Sequence, residues 1–337
     1  MQNKFDYDWQ RCKNVVVPYS KRLLHPFFQE IDYGLRVFPN ALKRIDADLL
    51  ISPYYDFIVP PNFVYKTIIT IHDLCYWDLS DKYRWYTKCF PRFVLPRSIN
   101  RSAAVITVSE FSKSRIKYLF NEAIQGKSLE LVYNTFKIKE RVNRNIESKI
   151  GRLKRKIGIQ AGIKYLLYTG GVENRKNIEN MLASFRKLAS EESVKLVITG
   201  NCKTHPKIIR LLSKNNLHEK VHLTGILSSE ELDLLYSNIC DGALNLSLYE
   251  GFGRNTYEAI LYGIPVLCSD IPVNREVGGD YPIYCDPLNV QDIHDKMYLL
   301  MQQGRRLPVE VIDIRFRFES NENKMIRLVK SFLKGEN

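Results

Sequence analysis

The sequence predicts an α/β protein of two doubly wound units facing each other across a cleft. Three observations carry this. The chain has 337 residues, more than one hydrophobic core comfortably serves, so two compact units are expected. Its second half alternates short apolar runs with amphipathic stretches, the pattern of strands and helices taking turns around a parallel sheet. Its first half holds three more apolar runs of strand length, the last leading into a helix-like segment. A composition of 45% hydrophobic and 26% charged residues supplies both cores, and no long polar low-complexity tract interrupts them.

In the first half, "ADLLISP" (47 to 53), "KTIITIHD" (66 to 73) and "AAVITVS" (103 to 109) read as buried strands, and "EFSKSRIKYLF" as the helix after the third. Between them, residues 76 to 98 set Arg84, Lys88 and Arg92 four apart, with Tyr86, Phe90, Phe93 and Val94 on a different face. A helix bent at Pro91 could lie there on an anionic membrane surface. Alternatively, its aromatic face covers the sheet and only the basic stripe is exposed. Residues 137 to 158 are highly charged with weak periodicity, which suits a linker leading into a surface helix. The unit boundary is therefore placed near residue 150, giving units of residues 1–150 and 151–315.

In the second half, "KYLLYTG" (164 to 170), "VKLVITG" (194 to 200) and "VHLTG" (221 to 225) are strands, each followed by a helical stretch. "DGALNLS" (241 to 247), a helix from Thr256 to Tyr262, and "IPVLCSD" (264 to 270) continue the alternation. Gly170, Gly200 and Gly225 end three of the strands. Ligands of open parallel sheets sit beyond such carboxyl ends, where a glycine lets backbone approach a phosphate. Taken singly, each is equally a turn residue.

The net charge of +13 is uneven, since residues 1 to 150 carry +9 of it. An anionic partner or simply solvated lysines would explain that. The basic residues are scattered and no nucleic-acid recognition motif is legible, so nucleic acid is not expected. The seven cysteines form no CxxC pair, which suggests neither zinc nor a disulfide framework and fits a reducing cytosol. No apolar signal core opens the chain, and no run of about 18 apolar residues could span a bilayer.

Three stretches can carry chemistry. In "YEGFGRNTYEAI" (249 to 260), Glu250 follows a strand, Gly251 and Gly253 loosen the turn, and the free amides of the next helix can receive an anion. Asn255 and Glu258 also have the spacing of a capping box, which from spacing alone is the favoured role. In "YTGGVENRKNIENM", Arg175 and Lys176 follow a strand and its glycines, where two cations can neutralise a departing diphosphate or stand as exposed loop charges. His72 and Asp73 close the strand "TIITIHD", at a position facing the crevice, so His72 could meet a sugar hydroxyl or a developing charge, or be an ordinary partly buried histidine. No second His or Cys stands at metal-ligand spacing.

Taken in order, "TIHDL", "AAVITVSEFSKSRI", "YTGGVENRKNI", "VHLTGILSSEELDLLYS" and "SLYEGFGRNTYEAILYGIPVLCSDIPVNREVGG" resemble the retaining, mannosyltransferase-like glycosyltransferases of family 4, which have the GT-B fold of two Rossmann-like domains. The last stretch is the specific one, with the E-x7-E pattern as Glu250 and Glu258. The resemblance implies a nucleotide-diphosphate sugar donor, a glycan or polyprenyl-linked glycan acceptor, no cofactor and no metal. It also implies a cytoplasmic protein, possible peripheral contact with the inner membrane face, and residues 316–337 as a helix crossing back to the first domain. Glu250 would hold donor-sugar hydroxyls, Glu258 the ribose, Arg175 and Lys176 the diphosphate, and His72 the sugar near its reacting carbon. Gly170 and Gly171 line the donor site, backbone around Ile226 and Leu227 flanks the base, and the amides of Gly251, Phe252, Gly253 and Arg254, with Asn255, face the phosphates.

Three departures from that family stand out. The expected N-terminal strand and glycine-rich loop are absent from "MQNKFDYDWQRCKNVVVPYS", Gly171 stands where many relatives carry an arginine, and "EGFGRN" replaces "EGFGLP". The missing loop motivates a different expectation, a GT-B subunit that binds nucleotide sugar without transfer. A sugar epimerase of the same fold is a further one.

Overall fold

A computed structural model describes residues 32–43, 48–54, 66–83, 85–136, 145–306 and 314–333. The expected short N-terminus and the linker at 137–144 lie outside them. Among the described residues the first unit is a four-stranded parallel sheet in the order β1 (Leu49–Ser52), β2 (Lys66–Ile71), β3 (Ala104–Thr107) and β4 (Ser128–Leu131). Helices α1 (Trp85–Arg101) and α2 (Glu110–Leu119) belong to this unit.

The second unit opens with helix α3 (Ile146–Ile157) and strand β5 (Lys164–Thr169). Helix α4 (Ile178–Glu191), β6 (Val194–Thr199), β7 (Val221–Gly225) and β8 (Gly242–Asn245) follow. Then come α5 (Arg254–Leu261), β9 (Val266–Ser269), α6 (Pro272–Gly278) and β10 (Ile283–Cys285). Its six strands are all parallel and run β10-β9-β8-β5-β6-β7. The chain thus winds outward from β5 in one direction and, from β8, in the other, so the crevice between β5 and β8 is the switch point where such sheets take ligands.

Strand β5 shows why the sheet is covered on both sides. Leu166 and Tyr168 enter one core with Ile178, Leu182 and Phe185, while Tyr165 and Leu167 enter the opposite one with Leu153, Ile157 and Tyr236. Alternating side chains of a strand point to opposite faces, so a run buried throughout needs helices above and below. Because Leu153 and Ile157 lie in that core, α3 straddles residue 150 and packs with the second sheet. The final helix, α7 (Phe318–Leu333), instead sets Leu328 and Phe332 against Ile68, Ala104 and Ile106 of the first sheet.

Helix α1 divides its faces differently from the expectation. Val94 is fully buried, but Phe93 is 44% exposed, with the Arg97 guanidinium 3.7 Å from its ring centroid. Lys88 and Arg92 donate to the carbonyls of Ser80 and Tyr76. One turn of helix separates these cations, and the loop beside them supplies acceptors, so part of the basic stripe is spent internally. The sequence positions of Arg84, Tyr86 and Phe90 fall where the structure describes no side chain.

Candidate active site

The loops after β5 and β8 meet at the switch point. Residues Asn174–Lys176 form a short 3-10 turn, and the Arg175 carbonyl accepts from the Leu248 amide at 2.7 Å, which ties the two loops together. Glu250 then lies between two cations: Lys176 Nζ is 2.6 Å and Arg175 Nη1 3.2 Å from its carboxylate oxygens. All three side chains are well covered, at 12%, 22% and 12% exposure for Lys176, Arg175 and Glu250. Burial by itself would raise the Glu250 carboxyl, yet the charges of Lys176 and Arg175 outweigh it and hold it below the usual carboxylate range. Burial likewise works against the Arg175 guanidinium, and Glu250 with Asp73 more than offset it, so its pKa is pushed further up.

A depressed carboxylate contributes stability above its unfolded pKa and loses it as pH falls through the folded value. The unfolded value for Glu is about 4.3, so the triad's contribution is intact at neutral pH and lost in acid below that point. Thermal melts should therefore show the difference between the native chain and Glu250→Gln shrinking as pH is lowered from about 5 to about 3.

The turn after Glu250 differs from the capping-box expectation. Helix α5 starts at Arg254, two residues before the expected Thr256, because Gly253 adopts a left-handed φ of 80° and turns the chain early. Asn255 is then inside the first turn, where its Nδ2 donates to the Thr169 carbonyl at the end of β5 instead of capping. Glu258 accepts from Arg254 Nε at 2.9 Å, one helical turn back, and does not reach a capping amide. Burial raises the Glu258 carboxyl and Arg254 only partly offsets it. The Arg254 guanidinium also lies 4.8 Å from the Phe136 ring centroid.

The first unit closes over this turn. A Cβ on Gly251 would overlap the His72 carbonyl, so only glycine permits the approach. Ser109 Oγ donates to the Gly251 carbonyl at 2.6 Å. His72 itself is half-buried, with Nε2 2.9 Å from the Pro53 carbonyl and its ring 5.3 Å from that of Tyr54. Tyr249 donates its hydroxyl to Asp78 at 2.9 Å, and Arg115 pairs with the same carboxylate. Phe252 buries its ring among Tyr133, Tyr257 and Phe316, so the turn's aromatic side chain belongs to the core between the units.

Of the residues expected at the site, the structure joins Arg175, Lys176 and Glu250 directly, pairs Arg254 with Glu258, and sets Gly251 against His72. Gly170 follows β5, and the space over Gly171 is taken by the Glu173 carboxylate. Ile226, 77% exposed, follows β7, while Leu227 packs against the core on one face of the second sheet. Ser109, Asp78, Tyr133 and Glu276 were missed. Ser109 alone had a signal, as a cap residue between a strand and a helix. Among the described residues no group of His, Cys, Asp or Glu is arranged to hold a metal ion.

Residues 149–313 match the family described as "Glycosyl transferases group 1". The O-antigen chain mannosyltransferase B of Escherichia coli is 28% identical over 255 residues, 71% of this chain and 64% of that protein. The chain thus spans somewhat under two thirds of that relative's length. Sucrose-phosphate synthase from Thermosynechococcus elongatus superposes with a TM-score of 0.72 at 16% identity, covering 92% of this chain and 79% of the other. Anabaena Alr3699/HepE in complex with UDP and glucose gives 0.61 at 18% identity, covering 79% and 72%. With two parallel-sheet units meeting at the switch point of the second, the fold is GT-B, and the second unit is similar to the glycosyl transferases group 1 family.

Proposed function

We propose that the chain is a retaining glycosyltransferase that moves a hexose from a nucleotide-diphosphate donor to a hydroxyl of a glycan or polyprenyl-linked glycan. The donor is GDP-mannose-like or a UDP- or dTDP-sugar. The observation that carries this reading is the pairing of Glu250 with Arg175 and Lys176 at the switch point, beside the free amides of α5. The mannosyltransferase relative supports the donor sugar, and the UDP and glucose held by Alr3699/HepE support a nucleotide at this kind of cleft.

Transfer breaks the bond between the anomeric carbon and the diphosphate oxygen while the acceptor oxygen bonds to the same face of that carbon. The acceptor proton passes to the leaving phosphate. Negative charge gathers on the diphosphate and oxocarbenium character on the sugar, so fixed cations and helix amides at the phosphates lower the barrier. Arg175, Lys176 and the amides of residues 251–254 serve the diphosphate, Glu250 the sugar hydroxyls, Glu258 the ribose, and His72 the reacting end of the sugar. This chemistry asks for no metal or cofactor, and transfer should be insensitive to EDTA.

A lipid-linked acceptor would place the protein at the cytoplasmic face of a membrane. Exposed Phe93 and Arg97 on α1 suit peripheral contact with anionic headgroups. No described helix is long and apolar enough to cross a bilayer. A second reading, nucleotide-sugar binding without transfer, is favoured by one observation: the Glu173 carboxylate over Gly171, an anion at the carboxyl end of β5.

Titration calorimetry with GDP-, UDP- and dTDP-sugars, followed by product analysis, separates the two. The expected result is micromolar binding of one donor class, transfer with retained configuration, and a fall in kcat of about 10²-fold in His72→Ala with donor affinity little changed. Binding without product in the presence of varied acceptors selects the second reading. Absence of binding to all three classes overturns both.

A further inference from the structure

We propose that Glu276 is a positioning residue that joins the two units and thereby completes the donor-binding turn. It sits on α6 and is none of the residues assigned a role above. Its carboxylate accepts from the backbone amides of Glu110 at 2.7 Å and Phe111 at 3.0 Å, and from the Tyr133 hydroxyl at 2.9 Å. All three donors belong to the first unit.

The first turn of a helix leaves amides without internal partners, and their dipole favours a negative charge there. In α2 the amide of Ser112 is satisfied by the Ser109 hydroxyl at 3.0 Å, within the unit. The amides of Glu110 and Phe111 are satisfied by Glu276, from the other unit. The start of α2 is thus completed only while the units are docked, and charge-assisted bonds of this kind are stronger than neutral ones.

The same two helices hold the donor turn. Ser109, the cap residue of α2, donates to the Gly251 carbonyl at 2.6 Å, with Ser112 Oγ 3.3 Å from the same oxygen. On α6, two residues before Glu276, the Asn274 Oδ1 backs Gly253 so closely that a Cβ there would lie 2.9 Å from it. Asn274 is fixed in turn by donating to the Ser269 carbonyl at 2.9 Å. Glu276 therefore clamps together the element that orients the Gly251 carbonyl and the element that backs Gly253. Both fix the direction of the amides of residues 251–254.

The inference rests on the donor-site reading for its consequence in catalysis, but the clamp itself is testable without it. Hydrogen exchange across residues 108–115 and small-angle scattering are compared for the native chain, Glu276→Ala, Glu276→Gln and Tyr133→Phe, with donor KM and kcat measured alongside. In Glu276→Ala the exchange of the first α2 amides should rise about tenfold, the radius of gyration should increase, and donor KM should rise about tenfold with a smaller loss in kcat. Glu276→Gln and Tyr133→Phe should be intermediate. Unchanged exchange and scattering in Glu276→Ala overturn the clamp. Faster exchange with an unchanged donor KM overturns the positioning role. If the native chain binds no nucleotide sugar, the donor reading fails, and exchange and scattering still decide the clamp.

Discussion

Glu250→Gln is expected to lower transfer by about 10³-fold while tightening the binding of the nucleoside diphosphate without its sugar. The two effects have one cause. The Glu250 carboxylate occupies Arg175 and Lys176, at 3.2 Å and 2.6 Å. A diphosphate arriving at these cations must compete with it. The sugar of the intact donor compensates, because its hydroxyls give the displaced carboxylate new partners. A nucleoside diphosphate offers no such hydroxyls, so it meets the competition in full. A neutral amide at residue 250 removes the competing anion, and it also removes the acceptor that would hold the sugar.

The same substitution leaves two covered cations without their counter-charge, which typically costs about 3 kcal/mol or more when a buried pair loses one partner. Glu250→Gln should thus melt earlier than the native chain when free and gain more from added nucleoside diphosphate, since ligand stabilisation scales with affinity. Calorimetry and thermal melts with GDP, UDP and dTDP check both statements. Weaker nucleoside diphosphate binding in Glu250→Gln would show that the carboxylate assists the diphosphate and does not compete with it.

Much of the frame was legible because burial on both faces leaves a plain trace. Strands such as "KYLLYT" have an apolar centre buried on both faces, and the helices between them keep a polar side, so the alternation announces a parallel sheet. The strand order was not legible, since reversal at β8 depends on which side of β5 the chain returns to. The ion triad was also hidden. Glu250 stands 75 residues from Arg175, and spacing along the chain reports only local partners. That limitation made Asn255 and Glu258 look like a capping box. What overruled it was the left-handed turn at Gly253, which moved the helix start and gave Glu258 a cation one turn away.

Contacts between the units were the least legible of all. Glu276, Tyr133 and Ser109 meet only after two separately wound sheets dock, and no periodicity records that event. On α1, Phe93 and Val94 looked equivalent by pattern, yet one is exposed and the other buried. Adjacent helical positions differ by about 100° in direction, so a small rotation of the helix on its sheet decides between them.

Phe252→Ala should reveal how the donor turn depends on that docking. Phe252 is 4% exposed, and its ring centroid lies 5.7 Å from Tyr257, 5.9 Å from Phe316 and 6.3 Å from Tyr133. Truncating a buried phenylalanine costs about 3–5 kcal/mol through lost burial and the cavity left behind. The loss falls on a cluster shared by both units, so denaturant unfolding should become less cooperative as well as weaker. Donor affinity should fall too, because the Phe252 side chain anchors the very turn whose amides face the phosphates. Phe316→Ala is the control, since it empties the same cluster from the segment before α7 while leaving the turn's own side chain in place. Comparable destabilisation in the two variants, with a donor Kd raised further in Phe252→Ala, would assign the difference to the anchoring of the turn. Equal losses of affinity would mean that Phe252 acts through docking alone, leaving the turn to be held by Ser109 and Asn274.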